Sequence, residues 1–210
     1  MKAVEVIEVF GKLQEAVGVE VIGGIGLPYS LRLIRDTADD LAVLRRIDSD
    51  PLVQTYMYPS NVYLDLSELI EFATGKMGDT RALVYAITPL HESKMIGWVA
   101  LYPDLQVIDD NALPTLEVSL AKLSTPGNIY RGVGVAAMKL VTAHLQKLAI
   151  AYKGAPLPHS ILLTGYVSVG NVPAQRTLQK SDFSLAPEQI MYAPDDPCHV
   201  YTREITLKIE

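Results

Sequence analysis

Residues Arg131-Gly132-Val133-Gly134-Val135-Ala136 open a long stretch with helical apolar spacing. Closely spaced glycines let a backbone approach a ligand with no Cβ in the way. The first turn of a helix carries N–H groups without intrahelical partners, at the positive end of the helix dipole. Together these features form a receptor for phosphate or pyrophosphate. Arg131 adds a permanent cation with forked donor geometry. The chemistry they point to is retention of a phosphorylated cofactor.

Three phosphate-binding patterns compete for this stretch. The P-loop needs Lys-[Ser/Thr] after its last glycine. Gly127 and Gly132 have its separation, but Val133-Gly134 follow. The dinucleotide pattern G-x-G-x-x-[GA] is met by Gly132, Gly134 and Ala137. That pattern should follow a strand directly, and an acidic residue should end the next strand. Here the preceding apolar run stops near Leu123, and Ile161 to Tyr166 ends without Asp or Glu. The third pattern, [QR]-x-x-G-x-[GA], is met by Arg131, Gly134 and Ala136. A glycine-bearing turn before an ordinary helix is the alternative to all three.

The elements that must position this loop follow from periodicity. Val4, Ile7, Phe10, Leu13, Ala16 and Val17 predict an amphipathic helix, and Gly23-Gly24-Ile25-Gly26 before Pro28 predicts a break. Residues 1–28 therefore read as an appendage, suited to packing or self-association, and residues 29–210 as the main domain. Ser30–Arg35 predicts a strand. A helix runs from Thr37 or Asp39 to Asp48 and stops at Asp50-Pro51, with Tyr56 to Pro59 in a loop. A second helix spans about 65–76. Arg81–Thr88 and Met95–Tyr102 predict an antiparallel hairpin. Asp104–Pro114 is a polar connection, and Thr115–Leu123 a strand. The helix from Val133 to Ala151, a strand at Ser160–Val167, a helix at Asn171–Ser181 and strands at Gln189–Ala193 and Val200–Ile209 complete a mixed α/β order. Strand, loop, helix and strand around the glycines form a βαβ unit.

Bulk properties narrow the function. The chain has 210 residues, is 49% hydrophobic and carries a net charge of −6. Its size suits one domain with a full core. The acidic balance argues against nucleic acid or an anionic membrane as partner and is compatible with a cationic acceptor. A single cysteine, Cys198, leaves no disulfide framework and suits a reducing, cytoplasmic compartment. The N-terminal residues lack a signal-peptide pattern. No uninterrupted apolar run is long enough to predict a membrane span, and the four histidines show no metal-ligand spacing.

The element order, with the glycine loop between the fourth strand and the third main helix, resembles that of the GNAT acyl-CoA N-acyltransferases. Asn171-Val172-Pro173-Ala174 followed by Lys180-Ser181-Asp182-Phe183 resembles the family's N-x-x-A…K-x-G-F segment. Leu31-Arg32-Leu33-Ile34 with Asp48-Ser49-Asp50-Pro51-Leu52-Val53 is similar to the branch containing the ribosomal-protein N-terminal acetyltransferases. The resemblance covers about residues 30–208. Its departures are Asp182 in place of a usual Gly, a longer loop before Arg131, and Leu178 where many members carry a general-acid Tyr.

The resemblance implies a single domain with a mixed central sheet of about seven strands flanked by helices, bearing the N-terminal helical appendage. It implies acetyl-CoA as co-substrate, no metal, and an amine acceptor that is a small molecule or a protein N-terminus. The backbone of Arg131, Gly132, Val133, Gly134, Val135 and Ala136 would hold the pyrophosphate. Ala121, Lys122 and Leu123 would pair with the pantetheine arm, which Asn171 would also contact. Arg176 would meet the nucleotide phosphate or lie on a solvated helix face.

Acetyl transfer to an amine needs a neutral nitrogen, donors for the oxyanion and a stabilised leaving thiolate. Glu117, in the otherwise apolar Leu116–Leu120, is the candidate base, and burial would raise its pKa. The alternative is a solvent-facing or structural Glu. Ser119, which shares its strand face, and Tyr192 are candidate acids. Tyr56, Tyr58, Trp98 and Tyr102 are candidates for the acceptor pocket, or for ordinary packing. Cys198 and His199 stand adjacent, and neighbours in a strand point apart. Two other readings stay open: a GNAT-fold module that binds acyl-CoA without transfer, and a nicotinamide-dinucleotide enzyme. A homodimer through the N-terminal helix is expected.

Overall fold

The computed structural model describes residues 2–17, 28–57, 66–77, 80–104, 113–123, 130–152, 157–193 and 196–207. A seven-stranded mixed sheet is its centre. Its strands are β1 (Tyr29–Leu33), β4 (Leu83–Pro89), β5 (Gly97–Pro103), β6 (Thr115–Lys122), β7 (Ser160–Ser168), β8 (Ser184–Ala193) and β9 (Asp196–Thr206). They lie in the order β1-β4-β5-β6-β7-β9-β8. All neighbours pair antiparallel except β6 and β7, which are parallel. A small hairpin, β2 (Lys76–Met77) with β3 (Thr80–Arg81), stands apart. This arrangement is not the parallel doubly wound sheet that the dinucleotide reading required.

Helices cover both faces. On one lie α1 (Ala3–Val17) and α5 (Val133–Ala151), sharing a core with Leu31, Tyr85, Leu101, Leu116 and Leu163. On the other, α2 (Ala38–Asp48) and α4 (Leu66–Ala73) cover Val84, Ala86, Trp98, Ala100 and Ala121. Helix α6 (Val172–Gln179) lies against α5 and β7. The alternation of β6 divides between the two cores: Leu116 and Val118 face α5, while Ala121 faces the α2/α4 side.

Helix α1 packs against α5, β3, β4 and β5, and its Val6, Ile7 and Phe10 are fully buried. Of the apolar stripe that made it a candidate for self-association, Ile7 and Phe10 are covered within the protomer and Leu13 partly so, while Val4 is exposed. Helix α5 is, by length and composition, apolar enough to cross a bilayer, which counting uninterrupted apolar runs did not register. Yet 67% of its most apolar 18 residues are buried in the fold, the pattern of a central core helix.

Two local differences from the sequence reading have clear causes. Pro51, read as part of a helix end, opens helix α3 (Pro51–Met57), which takes in Tyr56 and Met57 of the expected loop. Asp50 Oδ1 accepts the Leu52 N–H at 2.9 Å, and Pro51 opens the helix, where its missing N–H costs nothing. Asp182 adopts φ 63°, the left-handed conformation the usual glycine would take. The turn is therefore kept, because Asp tolerates that region better than most side chains. At the far end, Arg32 of β1 forms a buried two-pronged ion pair with Asp40 of α2 at 2.6 and 2.7 Å. Burial alone would raise the Asp40 pKa, but the Arg32 guanidinium and the Arg35 amide hold it below the ordinary range.

Candidate active site

The site begins where the sheet parts. Strands β6 and β7 pair at Thr115↔Leu162, Leu116↔Leu163 and Glu117↔Thr164, and there the pairing stops. On their outer flanks β6 stays paired with β5 through Lys122, and β7 with β9 through Ser168. The two strands therefore diverge beyond Glu117. The resulting cleft, about 160 Å³, is lined by Val118–Leu120 on one wall and Gly165–Ser168 on the other, with Met138 of α5 and Ala174, Thr177 and Leu178 of α6.

Backbone direction decides what β6 offers to this cleft. The Pro114 carbonyl accepts from Leu162 on β7, while the Leu123 N–H donates to Ile96 on the β5 side. Successive residues of a strand alternate between neighbours. The amides and carbonyls of Val118 and Leu120 consequently face the opened side. The lining lies upstream of the expected Ala121–Leu123 stretch, in which only Lys122 has the cleft-facing parity.

Met138, in the second turn of α5, lines the cleft, and the glycine loop opens that helix one turn earlier without itself lining it. Gly132 caps the helix at φ 71°, without a side-chain cap. The first intrahelical bond is Ala136 N–H to the Gly132 carbonyl, at 2.9 Å. The N–H groups of Val133, Gly134 and Val135 precede it and have no acceptor within the helix. Arg131 is exposed, and its carbonyl accepts from the Tyr29 hydroxyl at 3.1 Å. The two glycines serve different purposes. Gly132 supplies the left-handed turn, with open space where a Cβ would stand. At Gly134 a Cβ would sit 2.6 Å from Thr177 Cγ2 of α6. Its absence lets α6 close on α5, so a large residue there would act through helix packing. Gly134→Ala is expected to cost about 1–3 kcal/mol by overpacking. Thr177→Ser in the same chain should recover most of the loss in thermal unfolding, since it removes the clashing methyl.

The α2/α4 side of the cleft carries the polar groups. Glu117 and Ser119 are half-buried, line the cleft and share a face with their β5 partners Tyr102 and Ala100. Thr164 and Tyr166 extend that face on β7. Thr164 Oγ1 and Tyr166 Oη both donate to Asp104 Oδ2, at 2.5 and 2.7 Å. Asp104 is buried at the end of β5, its N–H bonded to the Thr115 carbonyl. The Tyr166 pKa is driven far up by burial first, then by its bond to Asp104 and the Asp104 charge, with a smaller push from Glu117, and a hydrogen bond with Thr164 offsets part of the rise.

The other predicted residues divide plainly. Tyr56 lines the cleft, beside Gly170. Trp98 is a core residue, packed edge-on against Phe72 at 4.8 Å. Tyr102 packs beside that core, across from Glu117. Tyr58 lies outside the described residues. Tyr192 is on the outer strand β8, with β9 between it and β7; its side chain is outside the description. Asn171 lines the cleft and caps α6, its Oδ1 accepting from the Ala174 N–H at 3.2 Å. Arg176 is exposed on α6. Leu178 is buried, lines the cleft and fills the space beside Gly165, where no proton can come from it. Cys198 is buried at the cleft, whereas His199 meets Gln189 of β8 at 3.3 Å, so the two do not form a pair. Among the described residues no group of His, Cys, Asp and Glu is arranged to hold a metal.

Asp104, Thr164 and Tyr166 were not singled out from the sequence. Asp104 reads as the start of a polar connection, and the residues bonded to it lie about sixty positions away.

No protein-family model and no curated protein matches the chain. Solved structures do match in shape. Aminoglycoside acetyltransferase AAC(6')-Ib, in complex with paromomycin and acetyl-CoA, superposes with TM-score 0.61 at 16% identity, over 84% of this chain and 93% of its own. Spermidine N-acetyltransferase from Vibrio cholerae, with CoA and spermine, gives 0.58 at 15% identity, over 86% and 96%. The ribosomal-protein acetyltransferase RimL, with coenzyme A, gives 0.59 at 14% identity, over 90% and 100%. The chain has the GNAT acetyltransferase fold.

Proposed function

We propose that the protein is an N-acetyltransferase that moves an acetyl group from acetyl-CoA to a primary amine by direct attack in a ternary complex. The observation that carries this reading is the parted β6/β7 seam, with Glu117 at its closed end and the first turns of α5 alongside. The three N–H groups of α5 that precede its first intrahelical bond, with Arg131, suit a pyrophosphate. The cleft-facing amides of Val118 and Leu120 suit an extended amide-bearing arm, much as a sheet edge receives a strand. The shape neighbours that bind acetyl-CoA or CoA support the same reading.

When bound, acetyl-CoA supplies an acyl carbon activated as a thioester. Glu117 takes a proton from the incoming ammonium, directly or through water, and the freed nitrogen bonds to that carbon. A cleft-facing amide of β6 donates to the negative charge developing on the acyl oxygen. The C–S bond breaks, the nitrogen releases its second proton to solvent as the amide forms, and the thiolate takes a proton from solvent, because Leu178 has none to give. An acidic chain suits a cationic acceptor, whether a small amine or a protein N-terminus. A cytoplasmic setting agrees with one buried thiol and no disulfide framework.

Leu178 favours a second reading, in which the fold binds acyl-CoA without transferring it. Calorimetry and a CoA-release assay across primary amines separate the two. Acetyl-CoA is expected to bind, and Arg131→Glu to weaken it by about tenfold through charge reversal at the pyrophosphate, with unchanged thermal stability because the side chain is exposed. Wild type that fails to bind acetyl-CoA would overturn both readings; binding with no release from any amine favours the second.

A further inference from the structure

The bond from Tyr166 to Asp104 falls on the same buried oxygen that Thr164 binds. Its consequence lies at the cleft. A tyrosine hydroxyl has one proton and two lone pairs. With the proton directed at Asp104, Tyr166 turns only lone pairs toward other partners. It can accept a hydrogen bond there but cannot protonate a leaving group. Glu117, on the same face and close enough for its charge to act on Tyr166, is also an acceptor. The acceptor side of the cleft therefore offers two hydrogen-bond acceptors, one on each strand, at the point where the strands part.

We infer that Asp104 is a positioning residue: it commits the Tyr166 proton, so that Tyr166 and Glu117 together receive the N–H groups of the incoming amine and leave the nitrogen lone pair directed at the acyl carbon. This inference rests on the acetyltransferase reading. It also bears on specificity. A primary amine has enough N–H groups for both acceptors, whereas an alcohol has one proton and leaves one acceptor unmet. Tyr166 thus touches the acceptor, and Asp104 acts through it.

The test is a double-mutant cycle of Asp104→Asn and Tyr166→Phe in the full chain. CoA release is followed with n-butylamine, spermidine and a short peptide with a free N-terminus. Asn keeps the size and one acceptor oxygen, so folding should survive, but its neutral amide brings two donors and no longer forces the Tyr166 proton toward position 104. Each single variant is expected to raise the amine KM by about tenfold, in line with loss of a charge-assisted hydrogen bond. The acetyl-CoA KM should change little, while kcat should fall as the nitrogen lone pair is held less well on the acyl carbon. The double variant should be no worse than the poorer single, because both act on one contact. Additive losses, or an equal loss in acetyl-CoA affinity, would overturn the inference. A second readout needs no turnover: the tyrosine ¹³Cζ resonance that vanishes in Tyr166→Phe. In wild type it should hold steady up to about pH 11, beyond the ordinary tyrosine range, and in Asp104→Asn its titration should move down. A wild-type resonance that titrates like free tyrosine would overturn the inference even if none of the amines reacts. Failure of acetyl-CoA to bind in calorimetry would instead overturn the acetyltransferase reading.

Discussion

Glu117→Gln is expected to lower kcat at neutral pH by about a hundredfold or more, the usual contribution of a positioned general base, while acetyl-CoA binds as before. Primary amines are mostly protonated at pH 7, and an ammonium has no lone pair with which to attack. Glu117 stands at the last paired position of β6 and β7, on the polar side of the sheet, and lines the cleft. Gln keeps the size and one acceptor oxygen but cannot take the proton. The pH dependence identifies the role. As pH approaches the amine's own pKa, the nucleophile deprotonates unaided and the deficit of the variant should narrow. A deficit constant from pH 7 to about pH 10, spanning α-amino and lysine-like amines, would mean that Glu117 only shapes the pocket. Full activity at pH 7 would remove it from the chemistry altogether.

Much of the frame was legible because local signals and tertiary demands agreed. The apolar spacing of Val133–Ala151 is that of a helix buried against a sheet, and it is one. The alternation around Leu116–Leu120 marked the central strand and placed Glu117 and Ser119 on one face. The glycine loop was read as a place where a ligand approaches the backbone, and at Gly134 the body that approaches within the fold is the Thr177 methyl of α6. Sequence shows that a Cβ is unwelcome without showing what excludes it. Pro51 was read as an end because the same dipeptide can end one helix and begin the next; the Asp50 side chain selects the second. Trp98 was offered as a pocket residue because aromatic side chains serve equally in cores and pockets, and only the position of Phe72 decides. The parting of β6 from β7 left no local trace, since each strand continues with ordinary β-forming residues. The Asp104–Thr164–Tyr166 cluster was likewise invisible, being built across two strands far apart in the chain.

Leu120→Pro is expected to lower kcat/KM by about a hundredfold to a thousandfold, the cost of losing one donor to a developing oxyanion, with the fold retained. The alternation fixed by the Pro114 and Leu123 bonds directs the Leu120 N–H toward β7, where pairing has ceased. Proline at that position removes a donor that the β5–β6 ladder does not use, the circumstance in which a strand tolerates it. The Leu120 side chain also packs partly against the α5 core, so Leu120→Ala is the necessary companion: it truncates the same packing and keeps the N–H. A large loss in the proline variant beside a small one in the alanine variant assigns the effect to the amide. Equal losses would assign it to packing. A proline variant with near wild-type kcat/KM would show that the cleft-facing amide at 120 touches neither the acyl oxygen nor the pantetheine arm, and Val118 would become the position to alter. The amine KM separates this edge from the Tyr166 contact: it should stay nearly constant in Leu120→Pro, because the β6 amide acts on the donor's acyl group and not on the acceptor.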